Sequence, residues 1–170
     1  MIIRATHKLL KISGIKPVKN IAEMEDDLPG EWYAGLVSTG HPGKLAVHLI
    51  HNPTMINILI LGKSLNKTLE QLPKRVENFL KRWGYSKLIQ DFQLEANFQI
   101  YATNSRSMLG QMNQLKWNVE DHLAAATKEH REINLDYIED IHSEYPFTIN
   151  KQNFTIIGIL DDLCNQKQHD

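Results

Sequence analysis

Asn97-Phe98-Gln99-Ile100-Tyr101-Ala102-Thr103 alternates apolar and polar side chains, Asn104-Ser105-Arg106-Ser107 breaks the alternation, and Met108-Leu109-Gly110-Gln111-Met112-Asn113 resumes with helical spacing. A period of two giving way to one of 3.6 predicts a strand, a polar turn and a helix. Phe98, Ile100 and Ala102 share one strand face, and Gln99, Tyr101 and Thr103 the other. Met108, Met112, Leu115, Val119 and Leu123 form the inward stripe of a helix reaching about Ala126, with Trp117 off that stripe. The turn has two readings. Its short polar side chains can cap the unpartnered N–H groups that open the helix. Alternatively, those N–H groups and Arg106 can hold an anion.

Upstream, Leu69, Leu72, Val76, Phe79, Leu80 and Trp83 fall on one helical face after the capping residues Asn66-Lys67-Thr68. Burying them contributes on the order of 10 kcal/mol of gross hydrophobic free energy. Pro73 fits only a first turn, which puts the helix start near Glu70 to Leu72. Gly84 ends it, and Ser86 can cap a shorter helix carrying Leu88, Phe92 and Leu94. Lys74, Arg75, Lys81 and Arg82 give the long helix a basic outer face, read as solvated.

Still earlier, Trp32–Val37, Leu45–Ile50 and Met55–Leu61 are three strand-length apolar runs separated by Gly40-His41-Pro42-Gly43 and Asn52-Pro53-Thr54, which predicts an antiparallel meander. Met1–Arg4 reads as an opening strand, followed by a helix capped by Thr6 and stopped at Gly14. Residues 16–30, with Pro17, Asn20, the acidic Glu23, Glu25, Asp26 and Asp27, and Pro29-Gly30, read as a loop holding at most one helical turn. Downstream, Asn134 caps a helix through Leu135, Ile138 and Ile141 that ends before Pro146. Phe154, Ile157, Leu160 and Cys164 favour a last helix over a strand. Together these predict an α+β fold: a small, mainly antiparallel sheet of about five strands, helices packed on it, and a helical C-terminal part, in a single globular domain over residues 1–170.

Nineteen Lys and Arg against 20 Asp and Glu leave a formal charge of −1, so the chain lacks the basic excess of a non-specific nucleic-acid binder. A single cysteine, Cys164, excludes an intramolecular disulfide and points to a reducing compartment, the cytoplasm by default. Arg4, Lys8 and Lys11 interrupt the N-terminal apolar run, which argues against a signal peptide. No apolar run is long enough for a membrane span.

The chemistry-bearing motifs are weak. His48 and His51 point to opposite faces of a strand, and His122, His130 and His142 are scattered, so no metal site is expected. There is no Gly-rich phosphate or dinucleotide loop and no nucleophile elbow, and no cofactor is implied. The acidic cluster lacks calcium-loop spacing.

Met1-Ile2-Ile3-Arg4-Ala5-Thr6 followed by Lys8-Leu9-Leu10, then Trp32-Tyr33-Ala34, then Asn104, Arg106-Ser107, Leu109-Gly110 and Met112-Asn113 resemble a bacterial family of uncharacterised stand-alone domains. That family opens with the same phrase and carries an Asn-Arg-Ser-x-Leu-Gly-x-Met-Asn motif. Here Ser105 separates Asn104 from Arg106, where the motif has them adjacent. The resemblance implies no activity; it directs attention to the turn and to Arg4.

The candidates for anion or partner binding are therefore Asn104, Ser105, Arg106, Ser107 and Arg4, with no catalytic residue assigned. The expected function is a non-enzymatic binding or interaction module with a protein or nucleic-acid partner. The alternative is a phosphate- or nucleotide-handling enzyme built on 104–107. Exposed sheet edges and the off-stripe Trp117 leave room for a homodimer.

Overall fold

A computed structural model describes residues 1–19, 28–94, 97–149 and 152–167. The acidic cluster Glu23, Glu25, Asp26 and Asp27 lies outside the described residues. Strand β1 (Ile2–Ala5) leads into helix α1 (His7–Ser13), where the Thr6 hydroxyl accepts from Leu9 N–H and Gly14 closes the end in the left-handed conformation. Strands β2 (Glu31–Ser38), β3 (Leu45–Asn52) and β4 (Asn57–Leu61) form the expected meander. Helix α2 (Leu65–Arg82) and a short 3-10 turn (Ser86–Leu88) lead to β5 (Gln99–Ala102) and helix α3 (Arg106–Lys128). Helix α4 (Leu135–Glu144), the hairpin β6 (Phe147–Ile149) and β7 (Gln152–Phe154), and helix α5 (Ile156–Gln166) follow.

The main sheet has the order β4-β3-β2-β1-β5. It corrects the expectation of a mainly antiparallel sheet: β1 runs parallel to both β2 and β5, Arg4 standing opposite Tyr33 on one side and Tyr101 on the other. The reason is connectivity. β1 reaches β2 through α1, and β4 reaches β5 through α2, and crossovers of that kind deliver parallel strands where tight turns deliver antiparallel ones. The C-terminal part is also only partly helical, because the β6–β7 pair separates α4 from α5.

Two helix expectations change as well. α2 begins at Leu65, so Pro73 lies well inside it. The missing N–H costs one helical bond, and the buried row Leu65, Leu69, Leu72, Val76, Phe79 and Leu80 outweighs that loss. The segment after Ser86 forms only the 3-10 turn, while Leu88 and Phe92 are still buried.

The two sheet faces differ in chemistry. Ile3, Trp32, Ala34, Val47, Leu49, Ile58 and Ile60 alternate onto one face and join the main apolar core with Leu9, Leu10 and the inner row of α2. Arg4, Glu31, Tyr33, His48 and Asn57 alternate onto the other, together with Val37, Ala46 and Leu59, which pack on Val119, Leu123 and Ile138. α3 runs along β2 on this second face. Gly40, at φ +81, lets the β2–β3 turn approach so closely that a Cβ would lie 2.8 Å from Ala124 Cα. Thr127 Oγ1 donates to Thr39 O at 2.7 Å, and Ser38 N–H donates to Glu120 at 2.7 Å.

Both outer strands carry cover. Leu59 N–H on β4 donates to the Glu139 carboxylate at 2.8 Å, and Val18 N–H donates to Ile100 O on β5 at 2.8 Å. Glu139 also ties α4 to α2. Arg75 reaches Glu139 and Asp136 at 2.5 Å, Arg82 reaches Asp140 at 2.9 Å and Glu139 at 3.3 Å, and the Trp83 indole donates to Asp140 at 2.9 Å. The solvated reading of the basic face holds at Lys74 and Lys81, which are exposed, and is corrected at Arg75 and Arg82, whose side chains join a half-buried ion network; the matching acids become visible only once α4 docks.

Candidate functional site

The turn after β5 lies at the carboxyl end of the parallel strands: Thr103 N–H donates to Ala5 O at 3.1 Å, and Thr6 N–H donates to Ala34 O at 2.9 Å. Thr6 to Lys8 and residues 103–107 therefore leave neighbouring strands side by side. Crevices at such ends are common ligand sites in sheets with parallel strands.

Ser105 is the N-cap of α3, its hydroxyl accepting from Met108 N–H at 3.2 Å. Asn104, Arg106 and Ser107 are exposed, and Arg106 forms no ion pair among the described residues. Arg4 is elsewhere in character: fully buried, its Nε donates to Glu31 at 2.6 Å, and the guanidinium stands 5.6 Å from the Tyr101 ring centroid. Tyr33 joins the two places. Its hydroxyl donates to the other Glu31 oxygen at 2.6 Å and shares a hydrogen bond with Ser105. Burial, then the Glu31 hydrogen bond and charge, push the Tyr33 phenol up, against the opposing pull of Arg4 and Ser105. It is a neutral donor at any physiological pH, and it links the buried Arg4–Glu31 pair to the residue that caps α3.

Beside the turn, α3 and the sheet enclose a cleft of about 150 Å³. Thr6, Lys8, Gly35, His48, Leu109, Met112, Asn113 and Lys116 are among its walls. This brings the opening phrase of the chain and the Leu109 to Asn113 stretch to one place, which sequence spacing could not show. His48 was set aside in the sequence because it forms no metal pair with His51, and the two do point to opposite faces. His51 hydrogen-bonds Thr54 and Pro29 O, whereas His48 Nε2 is buried with no hydrogen-bond partner among the described residues. Burial, and then the nearby His142, push His48 down to about 3 against the adjacent Asn57 amide, which lies near the ring without hydrogen-bond geometry, so the ring is neutral at pH 7. A signal was available: a histidine in an otherwise apolar strand run, Leu45-Ala46-Val47-His48-Leu49-Ile50.

On the same face His142 is buried and pushed down to about 4 by that burial and then by His122, whose ring centroid is 5.8 Å away. Among the described residues no group of three or more His, Cys, Asp or Glu side chains is arranged to hold a metal ion. No helix of the described residues is long and apolar enough to cross a membrane.

On the outside of α3, Arg106, Gly110, Asn113, Gln114, Trp117 and Asn118 face solvent, and Trp117 is 69% exposed. A groove of about 110 Å³, lined by Gln114, Leu115, Asn118, Tyr145 and Phe147, adjoins it. A comparison with curated proteins finds no match. The model of one family, described as "Domain of unknown function (DUF6933)", matches residues 2–156. That match spans nearly the whole chain and bears out the expectation of an uncharacterised domain family: the chain belongs to the DUF6933 family of domains of unknown function.

Proposed function

We propose that this chain is a non-enzymatic interaction module, a single cytoplasmic domain that engages a protein partner through the outer face of α3 with Asn104 to Ser107 at its head. The observation that carries the reading is Trp117, 69% exposed among Gly110, Asn113, Gln114 and Asn118. Solvated helix faces are ordinarily charged, as α2 is at Lys67, Glu70, Lys74 and Lys81. Amides beside an exposed indole, with only Asp121 charged one turn on and an Arg106 that forms no ion pair among the described residues, match the composition of interface centres. The near-neutral net charge and the scarcity of cations on this face favour protein over nucleic acid.

The alternative, a phosphate-handling enzyme at 104–107, draws on Arg106 beside the first turn of α3. Against it, the Ser105 hydroxyl already occupies Met108 N–H, and Glu31 and Tyr33 are sealed from solvent. The test is a photo-crosslinking residue at Asn118 in the full chain in cells. A protein adduct, including one to a second copy, that falls at least tenfold in Trp117→Ala is expected. Adducts only to nucleic acid, no adduct, or adducts indifferent to Trp117→Ala overturn the proposal.

A further inference from the structure

The cleft between α3 and the sheet goes beyond the partner surface, because it lies on the inward flank of α3. Its walls combine three kinds of group. Leu36, Val37, Leu109 and Met112 are apolar. Lys8 and Lys116 are cationic; Lys8 forms no ion pair among the described residues, and Lys116 stands 3.7 Å from Glu120, whose same oxygen already accepts Ser38 N–H at 2.7 Å. His48 lies at 1% exposure with Nε2 lacking a hydrogen-bond partner among the described residues. A buried imidazole nitrogen left unpartnered is costly, and a group entering the cleft to hydrogen-bond it would relieve that cost.

Gly35 keeps the space open. A Cβ there would stand 3.0 Å from Met112 Cε and 3.6 Å from Thr6 Cγ2, inside the cleft itself. At about 30 Å³ per water, the volume holds some five waters, or a ligand of about five to seven non-hydrogen atoms. We infer that this cleft is a binding site for a small oxyanion, a carboxylate or phosphate whose charge meets Lys8 and Lys116 and whose hydroxyl or protonated oxygen hydrogen-bonds His48. The neutral His48 ring supplies a donor and an acceptor instead of a third positive charge, so recognition at the inner end depends on the ligand's hydrogen-bonding group.

Ring resonances of His48, assigned by their loss in His48→Phe, report occupancy in the intact protein, with lactate and inorganic phosphate as probes. Titration to about 50 mM covers the millimolar affinities that so few atoms allow. A saturable shift with either probe is expected; the probe that shifts the ring names carboxylate or phosphate as the recognised oxyanion. Lys8→Ala, on the exposed rim, is expected to weaken the apparent affinity about five- to tenfold, and Gly35→Val to abolish the shift while circular dichroism stays native. Should Gly35→Val fail to fold, Lys8→Ala and Lys116→Ala decide. No saturable shift with either probe, a shift retained in folded Gly35→Val, or one unaffected by both Lys8→Ala and Lys116→Ala overturns the site.

Discussion

The two faces of the sheet are built on opposite principles. Under α1 and α2 the buried side chains are almost wholly apolar, and the one buried histidine there, His51, has both ring nitrogens hydrogen-bonded. Under α3 and α4 the same strands bury Arg4, Glu31, Tyr33, His48 and Asn57, joined by Glu139 and His142 from α4. Hydrophobic packing tolerates substitution of like volume, whereas a buried polar network fails when one member is neutralised. The first face is held together by apolar burial, the second by a buried polar network.

The sharpest test of this contrast is substitution without change of size. Glu31→Gln keeps the volume but removes the buried carboxylate charge that accepts from Arg4 Nε and from the Tyr33 hydroxyl, and breaking that buried pair should cost about 3–5 kcal/mol in urea denaturation. On the other face Leu72→Met, also close in volume, should cost less than about 1.5 kcal/mol. Equal losses would erase the distinction.

Acid should separate the faces next. The unfolded chain protonates His48, His51 and His142 near their ordinary 6.5, while burial holds them at about 3, 4 and 4 in the folded protein. The unfolded state therefore binds more protons, and stability falls as pH drops from about 6.5 towards 4. Glu139 works the other way: burial, against Arg75, Leu59 N–H and Arg82, raises its carboxyl to about 7. That group favours folding as pH falls from 7 towards its ordinary 4.5. In denaturation series across pH, His48→Phe and His142→Phe should each flatten the acid loss by one proton, about 1.4 kcal/mol per pH unit.

Smaller effects belong to the turn and the outer surface. Ser105→Ala removes the cap of α3 and one partner of Tyr33, a loss of about 1 kcal/mol by thermal denaturation. Trp117→Ser should leave stability within about 0.5 kcal/mol while removing the crosslinked partner, since nothing in the fold depends on its packing. A larger stability loss would move Trp117 from recognition to structure.

Local chemistry was legible in the sequence. Thr6 and Asn134 cap helices as their positions suggest, the polar turn 104–107 supplies its cap through Ser105, and Gly14 and Gly84 stop two of the helices. The meander was readable because its turns are short. The parallel placement of β1 was not, because its partners lie at Glu31–Ala34 and Gln99–Ala102, and no local signal selects pairings across crossovers. Pro73 misled because a single missing helix bond is a small term beside six buried side chains. For the candidate site, a cap within 104–107 was readable, though not which of the four residues supplies it. Its link through Tyr33 to Arg4, and the opening of His48 into a cleft beside Lys8 and Lys116, depend on residues brought from four separate segments.

The contact of Glu139 with Leu59 N–H has a consequence for the protein in the crowd. Asn57-Ile58-Leu59-Ile60-Leu61 is uncharged, free of proline and rich in β-formers, the composition of segments that seed fibrils. With α4 docked, an ionised or neutral carboxyl group occupies an outward amide of that strand and the helix stands where a second chain would add. Helix α4 thereby acts as a guard against self-templating, and a variant that releases it should be recognised first by seeded growth rather than by lost secondary structure.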